Sequence, residues 1–274
     1  MAKATFKDGS VIVDVILILI LLVFVFPLLW NLITSFKDKF DIASAPPRII
    51  FPPSWDNYRT VFADYHFLKY FRDSAIIAVS ATVVALLFGS MAAYSIDRFK
   101  TGGKFLPFWI LSNRMFPPVA IILPVFIIMR TLRLLDSYIG VILIYILLNL
   151  PFSVWLMWGF FREIPKEIDE AGYIDGCSIL GVFFRLIIPV ALPGIVATAI
   201  FCLITSWNEF LFALVLSGRH VTTVPVASAF FITDRDILWG PMAAVGVTAS
   251  IPIVVFVILV QKHLVRGLSY GAVK

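Results

Sequence analysis

Charge is scarce in this sequence of 274 residues. Asp, Glu, Lys and Arg together make up 14% of it, whereas an average soluble domain contains about 25% charged residues. Hydrophobic residues make up 61% and include 26 Phe and 7 Trp, which is more apolar surface than soluble domains of this total length can bury. The composition therefore excludes a soluble globular protein and predicts that lipid solvates most of the surface. The net charge of +5 is small and requires no nucleic-acid partner.

Cysteine and clustered reactive residues are also lacking. Cys177 and Cys202 form no framework, which excludes a secreted disulfide-rich scaffold. The three histidines, His66, His220 and His263, are scattered, so the sequence offers no catalytic triad or metal-ligand spacing. A Gly-Lys-Ser/Thr loop for nucleotide phosphates is missing as well. We therefore expect no enzyme activity and no cofactor bound by this chain, and any ATP must be bound by another polypeptide.

Long stretches without charge predict membrane helices. A hydrocarbon core about 30 Å thick requires roughly 20 apolar residues in a helix, and no segment alternates as a barrel strand would. We predict an all-α polytopic membrane protein with six spans, at about 12–34, 74–96, 105–129, 138–161, 187–216 and 238–261. Arg114 interrupts the third span. The first span is long and lacks a small-residue cleavage site, so we expect a retained helix rather than a signal peptide.

Charge counts leave the orientation of these spans open. If both termini are cytoplasmic, the loops on that side carry 11 Lys and Arg residues and the opposite loops carry 10. That difference is too small to decide the orientation. The two longest opposite loops are 37–73, which contains a Pro-rich run at 45–53, and 217–237.

Segment 162–185 carries the clearest functional signal. Pro165 suits the first turn of a helix. Three acidic residues follow near the positive end of that helix's dipole: Glu167, Asp169 and Glu170. Gly176 is placed to end the helix, because the residue just past a helix C-terminus is commonly left-handed and glycine takes that conformation without strain.

A second short helix is expected after this turn. Ser178 can cap a helix that runs through 179–188. The segment then forms a helix-turn-helix outside the membrane. We expect the small residues Ala171 and Gly172 to leave a face that another protein can approach closely.

These residues resemble the EAA loop of permease subunits in binding-protein-dependent ABC importers. The matching positions are Glu170, Ala171, Gly172, Asp175, Gly176, Ile188 and Pro189. In that family the loop forms a coupling helix that sits in a cleft of the ATPase subunit and passes its closure to the membrane helices. Gly172 and Cys177 stand where alanine is usual. Both are small, so the resemblance still implies docking, although Gly172 costs about 1 kcal/mol of helix propensity.

Other motifs are similar to the MalG-type permeases of the carbohydrate-uptake branch, and the resemblance covers nearly the whole chain. They lie at 55–58, 206–214, 238–240 and 264–274. The resemblance implies a type I ABC importer (MetI-like) permease fold in the bacterial cytoplasmic (inner) membrane with both termini cytoplasmic. It places the coupling loop 162–185 and the tail 262–274 on the ATPase side, and loops 37–73 and 217–237 toward an extracytoplasmic solute-binding protein.

The resemblance also implies partners and a function. The partners are a second, MalF-like permease, two MalK-like ATPase subunits that hold ATP-Mg, and the solute-binding protein. The function is import of a carbohydrate, such as a di- or oligosaccharide, a polyol or a related solute, by alternating access. The tail residues expected to contact the ATPase are Gly267, Leu268, Ser269 and Gly271.

Polar residues within the spans are candidates for the translocation pathway, since charge inside a bilayer is costly. They are Asn113, Arg114, Trp207, Asn208 and Glu209. Arg114 either lines a pathway or satisfies carbonyls freed by the prolines that follow it, and Glu209 either contacts sugar or is structural. The alternative function is a stand-alone, ion-coupled secondary transporter that uses Arg114 and Glu209 as a relay. That alternative leaves the EAA loop unexplained.

Overall fold

The computed structural model describes residues 10–234 and 236–269, and the side chains of residues 13–234 and 236–258. Helices dominate and the described ranges contain no strand, only an isolated antiparallel bridge between Ile232 and Ile237. The predicted all-α class is confirmed. The α-helices, in chain order, are α1 (Ser10–Ser35), α2 (Lys39–Ile42), α3 (Asp56–Arg59), α4 (Leu68–Phe99), α5 (Phe105–Ser112), α6 (Pro118–Thr131), α7 (Tyr138–Glu163), α8 (Glu167–Ile174), α9 (Ile179–Val182), α10 (Ile188–Val190), α11 (Leu192–Trp207), α12 (Leu211–Leu216), α13 (Val224–Ser228) and α14 (Trp239–Ser269).

Turns of other pitch join several of these helices. Two are π turns, Thr60–Asp64 and Phe183–Ile187, and two are 3-10 turns, Asn113–Met115 and Ala229–Phe231. The predicted extracytoplasmic loops are thus partly helical, and α4 begins inside the first of them, at Leu68.

Four described helices are long and apolar enough to cross a membrane alone: Val13–Ser35, Leu68–Phe99, Tyr138–Glu163 and Trp239–Ile258. Two further candidates are bent helix pairs: Phe105–Met115 with Pro118–Thr131, bent by 93°, and Ile179–Val190 with Leu192–Trp207, bent by 81°. The described chain therefore has four spans, or up to six if each bent pair is one span. The six-span count stays a prediction.

The predicted third span, 105–129, is not one continuous helix. Phe116 and Pro117 adopt extended backbone, with ψ of 129° and 121°, before Pro118 begins α6. The reason is steric, because the ring of a proline disfavours the helical region for the residue before it. Two consecutive prolines therefore break the helix next to Arg114.

The predicted fifth span, 187–216, is also discontinuous. Ala191 separates α10 from α11, which ends at Trp207, and α12 resumes only at Leu211. The proline at 189 has no N–H to donate, so the turn before it widens to π geometry, with the Ile188 N–H donating to the carbonyl of Phe183. A single apolar run in the sequence is thus three helices in space.

The described chain divides into two compact units. The first comprises residues up to 67 together with 228–251, and the second comprises 68–227 and the residues from 252 onward. In the first unit, the Asn57 amide donates to the carbonyls of Ser35 and Lys37 at 3.0 and 2.7 Å. A Cβ on Gly240 would lie 2.3 Å from Asn57 Oδ1, so a side chain at position 240 would displace the Asn57 amide. The 55–58 motif therefore holds the chain at the end of α1.

The second unit is built on the close packing of α4 against α7. Small buried residues of α4, Ala81, Ala85 and Gly89, allow this approach. A Cβ on Gly89 would lie 2.3 Å from Ser153 Oγ. Tyr138 at the start of α7 contacts Asp73 near the start of α4, and Phe161 near the end of α7 contacts Tyr94 near the end of α4. The two helices therefore run parallel.

Two apolar clusters lie along this helix pair. One contains Ile77, Tyr145 and Phe212, and the other contains Tyr94, Phe161 and Phe183. On α7, Asn149 lies between the clusters and donates to Ser206 Oγ of α11 at 2.8 Å. The second cluster includes Phe161, Ile164 and Phe183, so it packs around the point where segment 162–185 leaves α7.

Candidate functional site

Segment 167–190 folds as the predicted helix-turn-helix. α8 begins with Glu167 and carries its acidic residues in the first turn, as the helix dipole favours. Gly176 has a φ of +81°. The N–H of Gly176 donates to the Tyr173 carbonyl at 3.1 Å and the N–H of Cys177 donates to the Gly172 carbonyl at 2.9 Å, the Schellman pattern that ends many helices. The left-handed stop predicted at Gly176 is present.

The second part of the motif begins at its predicted cap. Ser178 has extended backbone, and its hydroxyl accepts from the Gly181 N–H at 3.2 Å. The helical run predicted for 179–188 is present, with the π turn inside it. Local capping rules thus account for both ends of the central turn.

Gly172 lies against the second helix rather than on an accessible face. A Cβ at this position would lie 2.6 Å from Leu186 Cδ1 and 2.9 Å from Val182 Cγ2. The expectation that Ala171 and Gly172 share an exposed face is therefore wrong for Gly172, because the turn folds the second helix back over it. Glycine here allows close packing of the motif upon itself.

The outward face of α8 has a different composition from the one expected. Glu167, Glu170 and Ala171 are exposed, as is Asp175 after the helix. Ile174, at the end of α8, is 85% exposed. At helical spacing, residues 167, 170, 171 and 174 share one side. This face, which we call the α8 face, combines two carboxylates with an isoleucine that sequence reasoning missed.

The opposite side of α8 is fixed by a buried ionic contact. Asp169 accepts hydrogen bonds from the Tyr94 hydroxyl and, at 2.9 Å, from Arg98 Nε. The side chains of Arg98 and Asp169 are each only 6% exposed. A charge in such surroundings must be paired and hydrogen-bonded to be tolerated. We call Tyr94, Arg98 and Asp169 the anchor of α8.

Arg98 also binds the end of α7. Its guanidinium donates to the carbonyls of Phe161 and Ile164 at 3.3 and 3.0 Å, and to the Asp97 carboxylate at 2.6 Å. The ends of α4, α7 and α8 are therefore joined through one side chain.

The sequence contained a signal for this anchor. Asp97 and Arg98 directly follow an apolar stretch, and Asp169 lies shortly after the next parallel one. Ionisable residues at neighbouring span ends are candidates for pairing. Several charged residues lie at this end of the helices, and the packing of α4 against α7 determines which of them pair. The sequence pattern does not specify that packing.

Two of the candidate pathway residues lie in the 3-10 turn between α5 and α6. The Asn113 amide donates to the Trp109 carbonyl at 2.8 Å. The guanidinium carbon of Arg114 lies 4.4 Å from the centre of the Phe152 ring, a cation–π contact. This aromatic contact, rather than a proline-freed carbonyl, is the interaction that the structure gives to Arg114.

The other three candidates lie where α11 ends. The Asn208 amide donates to the Ile204 carbonyl at 2.9 Å, and Trp207 is buried. The carboxylate of Glu209 accepts from the N–H groups of Phe212 and Ala213, both at 3.0 Å. Glu209 therefore caps α12. Among the described residues, no hydrogen bond or ion pair joins Glu209 to Arg114.

The tail candidates are described only in part. Gly267, Leu268 and Ser269 form the end of α14, and nothing is described of their side chains. Gly271 lies outside the described residues. Their predicted contact with the ATPase stays a prediction.

The chain matches a known family of transport proteins. A family model for the binding-protein-dependent transport system inner membrane component matches residues 85–270. The chain belongs to this family. It is therefore an ABC transporter permease and an integral inner-membrane protein. The match includes the whole of the helix-turn-helix described above.

Relatives and a solved structure extend the likeness over the rest of the permease. The chain is 33% identical to the trehalose/maltose transport system permease protein MalG of Thermococcus litoralis, over 94% of each chain. It is 36% identical to the trehalose transport system permease protein SugB of Mycobacterium tuberculosis, over 90% of this chain and 92% of that one. It is also similar to a chain in the crystal structure of a bacterial ABC transporter involved in the import of the acidic polysaccharide alginate. There the TM-score is 0.78 at 22% identity, over 95% of this permease and 99% of that chain, which confirms the MetI-like permease fold.

Proposed function

We propose that this permease carries a carbohydrate across the cytoplasmic membrane by alternating access, in an importer driven by ATP. The proposed solute is a di- or oligosaccharide, a polyol or a related compound. Support comes from the names of two relatives, which state transport of trehalose or maltose, and from their similarity over at least 90% of this permease.

The coupling to ATP hydrolysis is proposed to run through the coupling loop, 162–185. One observation supports this proposal above all. The α8 helix has an exposed outward face and, on its opposite side, an anchor buried against α4 and α7. The α8 face would sit in a cleft of the ATPase subunit. When that cleft closes, α8 would move, and the anchor would pass the movement to the ends of the two helices.

The assembly proposed here has three kinds of component besides this permease. A second, similar permease completes the pathway, two ATPase subunits bind ATP-Mg, and a solute-binding protein docks outside against 37–73 and 217–237. Both termini lie in the cytoplasm, and each bent helix pair is one of six spans. The tail at 262–274 would lie against the ATPase subunits.

The alternative of a stand-alone, ion-coupled transporter is not favoured. Such a relay needs groups that exchange protons or ions along a path. The Glu209 carboxylate is engaged by two backbone N–H groups, and Arg114 lies on an aromatic ring. The alternative also assigns no role to the helix-turn-helix.

Retention of the ATPase tests the docking proposal. The permease would be purified in mild detergent with its ATPase subunit, as wild type and as Ile174→Asp. Because Asp puts a charge where an apolar side chain is proposed to be buried, we expect about tenfold less retained ATPase. Phe40→Asp is the matched control, since Phe40 is equally exposed, at 84%, and lies in the first unit. Equal retention by Ile174→Asp and wild type would contradict the proposal.

Transport tests the substrate class. Proteoliposomes with the complete importer and its binding protein should take up radiolabelled trehalose or maltose, or another sugar of that class, only when ATP is enclosed. Uptake that needs an ion gradient and no ATPase subunit would favour the alternative.

A further inference from the structure

An aromatic cleft of about 440 Å³ lies where the 100–104 turn meets α5 and α7. Most of its wall is apolar and is contributed by Ile96, Pro107, Phe108, Leu111, Trp155 and Trp158. The polar part of the wall is at the turn, where Lys100 and Lys104 lie. The cleft thus has an apolar length and a basic end. Its volume is within the usual range for small-ligand sites, roughly 300–1,000 Å³.

The basic end is not neutralised by the wall of the cleft. The described residues that line the cleft include no carboxylate. Lys104 has no acidic partner among the described residues. The Lys100 ammonium donates to the backbone carbonyl of Asp97 at 2.7 Å, which leaves its charge and its other two N–H groups without an acidic partner at hydrogen-bond distance. It lies 3.9 Å from the Asp97 carboxylate, which Arg98 holds much more closely, at 2.6 Å.

A third cation lies beside the same wall. The guanidinium carbon of Arg162 is 5.4 Å from the centre of the Trp158 ring. Arg162 likewise has no acidic partner among the described residues. Three cations are therefore gathered at this end of the cleft.

The apolar part of the cleft is open to the side. Phe108 is 70% exposed and Trp155 is 47% exposed. Trp155 belongs to α7, which is long and apolar enough to cross a membrane, and Phe108 belongs to α5, which is half of a bent candidate span. Tryptophan is typical of the boundary between hydrocarbon and headgroups. A basic pocket between membrane helices at that boundary is suited to an anionic lipid headgroup.

We propose that this cleft binds an anionic glycerophospholipid. Its phosphate would lie between Lys100 and Lys104, and an acyl chain would extend along Trp155 and Trp158. This site is separate from the α8 face. A result that overturns lipid binding would therefore leave the coupling proposal unaffected.

Bromine atoms on a lipid chain quench tryptophan fluorescence on contact, which allows a direct test. The complete importer would be reconstituted in phosphatidylcholine with increasing amounts of dibrominated phosphatidylglycerol or dibrominated phosphatidylcholine. The signal of the cleft is the difference between wild type and Trp155→Phe/Trp158→Phe. We expect half-quenching at a mole fraction roughly 5- to 30-fold lower for the brominated phosphatidylglycerol, since two lysines contribute.

Two lysine variants establish the cause of that preference. Lys100→Gln/Lys104→Gln should bring the two lipids to equal quenching, whereas Lys39→Gln, on an exposed lysine of α2, should leave the preference unchanged. Native mass spectrometry of wild type and Lys100→Gln/Lys104→Gln gives a second measurement, because retained phosphatidylglycerol should fall in the double variant. Equal quenching in the wild type, or a preference that survives loss of both lysines, would overturn the proposal. Absence of quenching by either lipid would show that protein covers the cleft and would overturn it too.

Discussion

Arg98 Nε donates to the buried carboxylate of Asp169 at 2.9 Å and so fixes α8 to the end of α4. The two residues lie 71 positions apart in the chain. Loss of one partner from a buried ion pair typically costs about 3–5 kcal/mol, because the remaining charge is left uncompensated. The contact is therefore expected to hold α8 against the end of α4.

Removal of the Tyr94 hydroxyl tests the anchor without removing a charge. Tyr94→Phe keeps the ring within its aromatic cluster and deletes the hydrogen bond to Asp169. We expect a loss of about 1.5–3 kcal/mol of stability and a fall of about fivefold or more in solute transported per ATP. The measurement is uptake together with ATP hydrolysis in proteoliposomes.

A matched control exists for this variant. Tyr58→Phe also deletes one hydroxyl contact, at 2.9 Å from Ser35 Oγ, but in the first unit. It should reduce stability without changing the transport per ATP. Similar uncoupling in both variants would contradict a specific role for the anchor.

The turn at Gly176 provides a second test. With φ at +81°, a β-branched residue is strained, and even an unbranched L-residue costs about 1–2 kcal/mol. We expect Gly176→Val to assemble with the ATPase but to hydrolyse ATP without uptake. Gly176→Asn should keep most of the uptake, since asparagine tolerates this conformation. Wild-type uptake by Gly176→Val would refute the proposed role of the turn.

Glu209 distinguishes a structural role from substrate contact. Its carboxylate caps α12 through two N–H groups, and the neutral amide of Gln replaces one of these acceptors with a donor. We expect Glu209→Gln to lower the free energy of unfolding by about 1–3 kcal/mol, with the apparent KM of uptake unchanged. A raised KM at unaltered stability would instead place Glu209 in the pathway.

The stability of the protein should depend on pH through Asp136, which lies in the loop between α6 and α7. Burial opposes ionisation of this carboxyl, but the N–H groups of Val221 and His220, at 2.9 and 3.1 Å, hold its pKa below the usual 3.8. A carboxyl with a lowered pKa in the folded state contributes stability above its unfolded pKa. That stability is lost as pH falls through the folded value.

The variant that tests this is Asp136→Asn. Asparagine, like aspartate, adopts a positive φ such as the +54° at this position. Above about pH 5, wild type should be more stable by about 1–3 kcal/mol. Thermal unfolding in detergent should show this difference shrinking below about pH 4. A difference that stays constant down to about pH 3 would contradict the contribution of the ionised carboxyl.

Some of this structure could be predicted from the sequence because it follows local rules. The left-handed Gly176 and the cap at Ser178 depend on a few neighbouring residues, and both are present. The apolar stretches likewise predicted the helical class. In each case the physical cause lies within one or two turns of chain.

What could not be predicted depends on distant packing. Tyr94 lies 75 positions from Asp169, and no pattern within either segment specifies their contact. The inward position of Gly172 follows from the fold of the second helix over it. The proline pair at the start of α6 was evident in the sequence, but the 93° bend there also depends on what α5 and α6 pack against.

The most direct test of the central claim is the number of solute molecules transported per ATP by the importer carrying Asp169→Asn. The claim is that α8 passes the closure of the ATPase to α4 through its anchor. Asn keeps the shape of the side chain and removes the charge that Arg98 binds. We predict ATP hydrolysis that no longer responds to the loaded binding protein and a transport ratio at least about fivefold below wild type. An unchanged ratio in a variant that assembles normally would contradict the account.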